Sequence, residues 1–349
     1  MPHSILLAGG TGYIGTHILT LLTDPLDTIV ILDNLSNSST TCMHAAETVA
    51  CRCITHFCEG DLAAPNALHM LTMLFQRFRF TRVIHLAGLK SIPDCQKDPL
   101  TYYHTNITST LNLLRVMAEN NCKTLIFSSS ATVYAPLTNN TPCYETSPIG
   151  PSNCYGRTKV ACEDILRDVC QSDPAWTVVA LRYFNPVGAH PSGTLGETPA
   201  DNKRQGIMPG LCDVAAGRKQ NFTIFGGNYD TPDGTPMRDY VHIMDLAEGH
   251  VAALEWLHKA PTGFHAFNLG TGKATSIHEM VSSMKNVTGR DIPCEMGKRR
   301  AGDLGVVFAD VNKAANVLEW TARLNVENMC RDAWRWDRVQ HAQSAHDVD

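Results

Sequence analysis

A chain of 349 residues with 44% hydrophobic and 18% charged side chains has the make-up of a folded globular protein, which excludes disorder, collagen and coiled coil. At about 150 residues per domain, that length predicts about two domains. Its 29 basic and 34 acidic residues leave a net charge of -5, which argues against a nucleic-acid or anionic-membrane partner but leaves room for a local basic pocket.

Along the first 180 residues, short apolar runs at 5–7, 28–32, 83–86, 124–127 and 177–181 alternate with helix-length segments at 17–22, 67–78 and 107–118. Near-continuous hydrophobicity suits strands covered on both faces, so this rhythm predicts an α/β chain with a doubly wound parallel sheet. Beyond about residue 186 glycine, proline and asparagine thicken and the elements shorten. There the pattern predicts a smaller α+β part, with no repeat and no low-complexity tract.

The first strand runs into Ala8-Gly9-Gly10-Thr11-Gly12-Tyr13-Ile14-Gly15. Gly9 permits a sharp turn, Gly12 lets backbone approach a pyrophosphate, and Gly15 lets the helix pack close to the strand. Asp33 follows Gly9 by 24 residues, at the end of the second strand. A carboxylate there accepts hydrogen bonds from an adenosine ribose and repels a 2′-phosphate, which predicts NAD over NADP. Asp61 ends a third strand, either facing the adenine amino group or serving only its loop. Leu86, Ala87 and Gly88 close the fourth strand with small residues that suit close passage of a dinucleotide. Lys90 beyond them lies near the phosphates or is a surface lysine.

Tyr155 and Lys159 form a Tyr-x-x-x-Lys pair on one helix face. A free phenol, with a pKa of about 10, is a poor base at neutral pH. Lowering it by about three units takes roughly 4 kcal/mol. Two cations in a dry cleft, Lys159 and a positive nicotinamide ring, would supply this, whereas one exposed lysine would not. Ser130, at the end of a strand 25 residues before Tyr155, is placed to orient a substrate hydroxyl. Together these predict dehydrogenase-type chemistry, with Tyr155 moving the proton and NAD the hydride.

The 13 cysteines form no CxxC pair, so no metal site is expected. The first residues lack a basic leader and no stretch reaches a membrane span. The expectation is a cytoplasmic protein whose cysteines act as small reduced hydrophobes.

Seven segments resemble the extended short-chain dehydrogenase/reductases, and among them the UDP-glucose (UDP-galactose) 4-epimerases. They are Gly9-Gly-Thr-Gly-Tyr-Ile-Gly15, Leu32-Asp-Asn-Leu-Ser-Asn-Ser38, His85-Leu-Ala-Gly-Leu-Lys90, Phe127-Ser-Ser-Ser-Ala-Thr-Val-Tyr134, Arg182-Tyr-Phe-Asn-Pro-Val-Gly-Ala-His-Pro-Ser-Gly193, Asp233-Gly-Thr-Pro-Met-Arg-Asp-Tyr-Val-His242 and Arg299-Arg-Ala-Gly-Asp303. The last three are the most specific. The resemblance implies a Rossmann-type sheet in an NAD-binding domain, residues 1–186, and a nucleotide-sugar-binding domain, residues 187–349. It implies Tyr155 as base, Lys159 as its electrostatic partner and Ser130 as the orienting hydroxyl. Tyr13, Ile14, Asp33, Asn34, Asn37, Ser38, Asp61, Leu62, Lys90 and Phe184 would line NAD. Asn185, Arg238, Arg300 and Asp303 would hold a UDP-sugar, with Thr223 and Phe225 beside the uracil. The implied reaction is reversible epimerisation at carbon 4 of a UDP-hexose through a 4-keto sugar, with NAD staying bound. The implied assembly is a homodimer through surface helices.

Three positions depart from the family pattern. Thr105 stands for the first of two asparagines, leaving Asn106. Gln205-Gly206 precedes Ile207 where paired asparagines are usual, so a substrate contact there shifts to Gln205 or to backbone. Val307 replaces a bulky tyrosine of some members, which enlarges the pocket near carbon 2 and predicts tolerance of N-acetylhexosamines. A UDP-pentose 4-epimerase remains an alternative. A nucleotide-sugar 4,6-dehydratase would want a carboxylate after Thr132, where Val133-Tyr134 stand. A non-catalytic NAD sensor would be expected to have lost Tyr155 and Lys159.

Overall fold

The computed structural model describes residues 3–136, 140–198, 206–300 and 303–346. The first half runs β1 (Ser4–Ala8), α1 (Tyr13–Leu19), β2 (Thr28–Asp33), α2 (Thr40–Ala50), β3 (His56–Glu59), α3 (Ala67–Phe78), β4 (Arg82–His85), α4 (Ile92–Lys97), α5 (Pro99–Glu119), β5 (Thr124–Ser130), α6 (Cys154–Ser172) and β6 (Thr177–Tyr183). It continues with β7 (Asn185–Val187), α7 (Ile207–Ala215), β8 (Phe222–Phe225), β9 (Met237–His242), α8 (Ile243–Trp256), β10 (Gly263–Leu269), β11 (Ala274–Ser276), α9 (Ile277–Thr288), β12 (Cys294–Gly297), β13 (Val306–Val307), α10 (Asn312–Val317) and α11 (Val326–His346).

Seven strands form one parallel sheet in the order β10-β6-β5-β4-β1-β2-β3. Alternate residues feed two separate cores. Ile5, Leu7, Ile29 and Ile31 pack with α1, α8 and α10, while Leu6, Ala8, Val30 and Leu32 pack with α3, α5 and α6. The continuous apolar runs of the strands follow from this two-sided burial. α3 shows the complementary helical pattern, burying Ala67, Leu71, Leu74 and Phe75 at the i, i+4, i+7, i+8 spacing of one face.

β10 and α8 come from beyond residue 186, and β10 pairs with β6 along all of Gly263–Leu269. The large sheet therefore draws on both segments expected as domains. The remaining strands form a sheet of order β11-β9-β13 with β7 also pairing β9, and a two-stranded ribbon of β12 and β8. A third core joins α7, α9 and α11 through Leu211, Met280, Met284 and Cys330.

Eight of the thirteen cysteines are buried, which fits a packing role. Among the described residues no helix is long and apolar enough to cross a membrane.

Candidate active site

The first six strands end on one edge of the sheet, where doubly wound folds bind ligands. Gly9 turns the chain off β1 at a φ of +81°, and a Cβ there would lie 2.5 Å from the Ala87 backbone nitrogen. Gly12 caps α1, and Tyr13, Ile14 and Gly15 form its first turn. A Cβ on Gly15 would strike the Gly10 backbone at 2.6 Å. These glycines thus keep an open cradle at a helix N-terminus, which fits a dinucleotide pyrophosphate.

Asp33 closes β2 and is buried. Its carboxylate accepts from the Thr11 amide at 3.1 Å and the Leu35 amide at 2.9 Å, which aims it across the glycine turn. Asn34, Asn37 and Ser38 occupy the loop behind it, with Ser38 Oγ 2.6 Å from Thr11 Oγ1. Asp61, beside Leu62 in the turn after β3, accepts from Asn34 Nδ2 at 3.1 Å, so the second and third strand ends meet.

Leu86, Ala87 and Gly88 follow β4. Asn106 on α5 shapes this loop, accepting from the Leu89 amide at 2.8 Å and donating to the Leu89 carbonyl and Thr158. Thr105, its neighbour, is half-buried on the same helix. Lys90 has a partner, Glu197, at 2.8 Å, and lies over the Tyr13 ring. The Tyr13 hydroxyl donates to the Gly188 carbonyl at 2.7 Å, tying the glycine-rich helix to the chain beyond β7.

Ser130 ends β5, and its Oγ accepts from the Thr132 amide and hydroxyl. Asn153 caps α6 by accepting from the Gly156 amide at 2.8 Å. Tyr155 then lies in the first turn, half-buried, with the Ser130 hydroxyl near enough to pull its pKa down. Lys159 is buried one turn on and donates to the Ser128 carbonyl at 2.7 Å. Its ammonium sits 5.8 Å from the Tyr155 ring centre.

Lys159 alone does not lower the Tyr155 phenol. Burial pushes Tyr155 up to about 12, against the pull of the Ser130 hydroxyl, and lowers Lys159 to about 8, against Cys162 and Glu163. Desolvation dominates both groups, and the ammonium's proton is committed to the Ser128 carbonyl. A phenolate therefore needs the second cation, the positive nicotinamide ring of a bound cofactor.

The residues expected at the substrate end lie beyond β6. Phe184 is buried in a small apolar cluster with Val133, Tyr134 and Ala309, against which Val307 packs. Val307 on β13 registers beside Arg238 on β9, and Asn185 opens β7 opposite Tyr240 on the other side of β9. Arg238 is paired with Asp303. The Arg300 guanidinium lies 4.0 Å over the Phe225 ring, and the Arg299 guanidinium 3.7 Å over Tyr229. Thr223 Oγ1 on β8 donates to Glu295 at 2.8 Å. Gly206, at a φ of +108°, caps α7 just before Ile207; Gln205 lies outside the described residues. The cofactor-side residues thus gather on one crest, whereas Arg238 and Arg300 each hold a different neighbour.

Three contributors escaped sequence reasoning. Gly156 lets α6 touch the turn after β5, since a Cβ there would lie 2.5 Å from the Thr132 carbonyl. Its signal was a glycine inside a helical pattern. Glu163 and Arg182 form a buried pair behind Lys159, signalled only by an arginine inside the apolar run of β6.

Residues 5–270 match the NAD dependent epimerase/dehydratase family. Among curated relatives, a UDP-glucose 4-epimerase of Dictyostelium discoideum is 45% identical over 96% of both chains. One of Bacillus subtilis is 44% identical over 95% of this chain and 96% of its own. The crystal structure of UDP-glucose 4-epimerase from Bifidobacterium longum with NAD+ and UDP covers 97% of this chain and 99% of its own, at a TM-score of 0.90 and 38% identity. That of the Stenotrophomonas maltophila enzyme, with NAD and formylated UDP-arabinopyranose, covers 98% and 99% at 0.92 and 36%. The chain belongs to the NAD dependent epimerase/dehydratase family.

Proposed function

We propose that the chain interconverts the carbon-4 epimers of a UDP-hexose with NAD as a resident cofactor. The observation that carries this reading is the buried Lys159 ammonium 5.8 Å from the Tyr155 ring centre, with the Ser130 hydroxyl near the phenol, on the strand-end crest beside the glycine cradle. Bound NAD supplies a hydride acceptor for carbon 4 and returns the hydride to the 4-keto sugar.

The remaining work falls to the protein. Tyr155 takes the proton of the 4-hydroxyl and gives it back, and Ser130 orients that hydroxyl. Lys159 holds positive charge beneath the phenol. Asp33 faces the adenosine ribose and disfavours a 2′-phosphate. Gly9, Gly12, Tyr13, Ile14, Gly15, Asn34, Asn37, Ser38, Asp61, Leu62, Leu86, Ala87, Gly88, Lys90, Thr105 and Phe184 line the cofactor. Asn185, Gly206, Ile207, Thr223, Phe225, Arg238, Val307, Arg300 and Asp303 hold the nucleotide sugar. The two arginines offer planar forks to the diphosphate, so UDP stays anchored while the hexose turns.

The division into an NAD-binding segment, 1–186, and a sugar-binding segment, 187–349, is functional; the large sheet crosses it. We also propose a homodimer through α5 and α6, supported by Leu100 and Leu111, exposed on one stripe of α5. The many buried cysteines, acting as small apolar side chains, support a cytoplasmic setting.

The test is to incubate purified protein, without added NAD, with UDP-galactose, UDP-N-acetylglucosamine and UDP-arabinose separately. Turnover of a UDP-hexose without NAD consumption is the expected result. A requirement for one fresh NAD per turnover would sink the reading, as would full activity in Tyr155→Phe.

A further inference from the structure

We infer that Glu163 is a positioning residue for the epimerisation, one carboxylate that ties α6 and β5, the two elements bearing the reactive groups, to β6. It lies on α6, one turn beyond Lys159 and two beyond Tyr155, and is 1% exposed. Its Oε1 accepts from the Ser129 hydroxyl at 2.6 Å, on β5 between Ser130 and the Ser128 whose carbonyl holds Lys159. The same Oε1 accepts from Arg182 Nε at 2.9 Å, and Oε2 from Arg182 Nη2 at 2.7 Å. Arg182 lies on β6 immediately before Tyr183, Phe184 and Asn185. Helix, serine-bearing strand and the strand that leads into Phe184 thus meet on a single carboxyl group.

The clamp is itself supported. Arg182 Nη1 donates to the Tyr134 hydroxyl at 3.0 Å and the Glu145 carbonyl at 3.0 Å, and Tyr134 donates to Asn268 on β10 at 2.5 Å. Arg167 caps the outer side of Glu163 at 2.7 Å. A fork-on-fork pair fixes orientation as well as distance, because both guanidinium nitrogens face both oxygens. A buried ion pair adds little net stability over well-packed apolar side chains, so its worth has to be sought in geometry. Displacing the phenol or ammonium by about 1 Å is enough to cost about a hundredfold in rate.

This inference rests on Tyr155, Lys159 and Ser130 being the reactive groups, and the experiment separates the two claims. Glu163→Gln leaves a buried arginine without its counter-charge and risks misfolding, so the informative protein is the double variant Glu163→Met with Arg182→Met, in which both charges leave together. Ser129→Ala serves as a milder third variant, keeping the ion pair. The readouts are Tm, kcat and KM for UDP-galactose on the holoenzyme, and the pH profile of kcat. The groups facing Lys159 are Tyr155, Cys162 and Glu163 on its own helix and His85 on β4, and Glu163 is among the groups that favour its charge.

The double variant is expected to melt near the wild-type temperature and to lose about 10- to 100-fold in kcat with KM within about twofold. The alkaline limb of its profile should move to lower pH, as the ammonium loses the carboxylate that supports it. Ser129→Ala should lose about threefold to tenfold in kcat alone. A folded double variant with wild-type kcat and an unmoved alkaline limb overturns the inference. Tyr155→Phe retaining activity would instead overturn the catalytic reading beneath it.

Discussion

Arg238 and Asp303, both proposed to hold the substrate, are already paired, with side chains 15% and 27% exposed. A diphosphate reaching Arg238 must therefore displace or share an anion. Arg238→Ala should raise the inhibition constant of inorganic pyrophosphate by about tenfold, whereas Asp303→Asn should lower it severalfold. Pyrophosphate lacks the ribose, which keeps the reading free of other Asp303 contacts. Weaker inhibition of Asp303→Asn by pyrophosphate would show that the ion pair presents the arginine instead of competing for it.

Gly156 sets the closeness of α6 to the turn after β5. In Gly156→Ala the new methyl group would meet the Thr132 carbonyl backbone, which has no flexible end to swing away. The expected outcome is a loss of about 1–3 kcal/mol of stability together with a kcat defect at nearly unchanged KM. Urea unfolding beside steady-state kinetics checks both.

Stability should fall steeply in mild acid. Burial lowers His17 to about 3, His85 to about 3 and His250 to about 4, so all three fold as neutral imidazoles. Their pKa values are depressed on folding, and the unfolded chain binds more protons below about pH 6.5. Stability therefore rises with pH across this window and is lost as pH falls from about 6.5 toward 4. Three such groups give a slope of about 4 kcal/mol per pH unit at the steepest. Urea midpoints at pH 7 and pH 5.5 measure it, and equal midpoints would contradict it.

Val307→Tyr fills the space beside the Phe184 cluster. It should cost about tenfold or more in kcat/KM for UDP-N-acetylglucosamine while leaving UDP-glucose nearly untouched. Equal losses on both sugars would show that the position does not sense the substituent on carbon 2.

Local signals were readable in the chain and cross-sheet partnerships were not. α3 follows its predicted span, 67–78, because its amphipathic face is strong and its end is marked by a left-handed Arg79. α5 begins at Pro99, eight residues before the predicted start, since proline at the first position and the Asp98 cap open a polar first turn that periodicity does not report. α4 went unseen because Pro93 masks a helix of one and a half turns. The glycine turn, Tyr155 and Lys159 were legible for the same reason as α3, since their spacing is local. The Glu163–Arg182 pair spans helix and strand, and nothing in either segment names the other. Lys159 shows a subtler limit, because its place on the helix was readable but its commitment to the Ser128 carbonyl was not.

The union of β6 with β10 has a consequence for synthesis. β6 ends at Tyr183 and β10 starts at Gly263, so the outer edge of β6 stays unpaired while about 80 further residues are made. At about 5–20 residues per second, that leaves roughly 4–16 s in which an apolar seven-residue edge is open on the ribosome. A chain interrupted in that interval carries the whole glycine cradle and a sticky flank beside it.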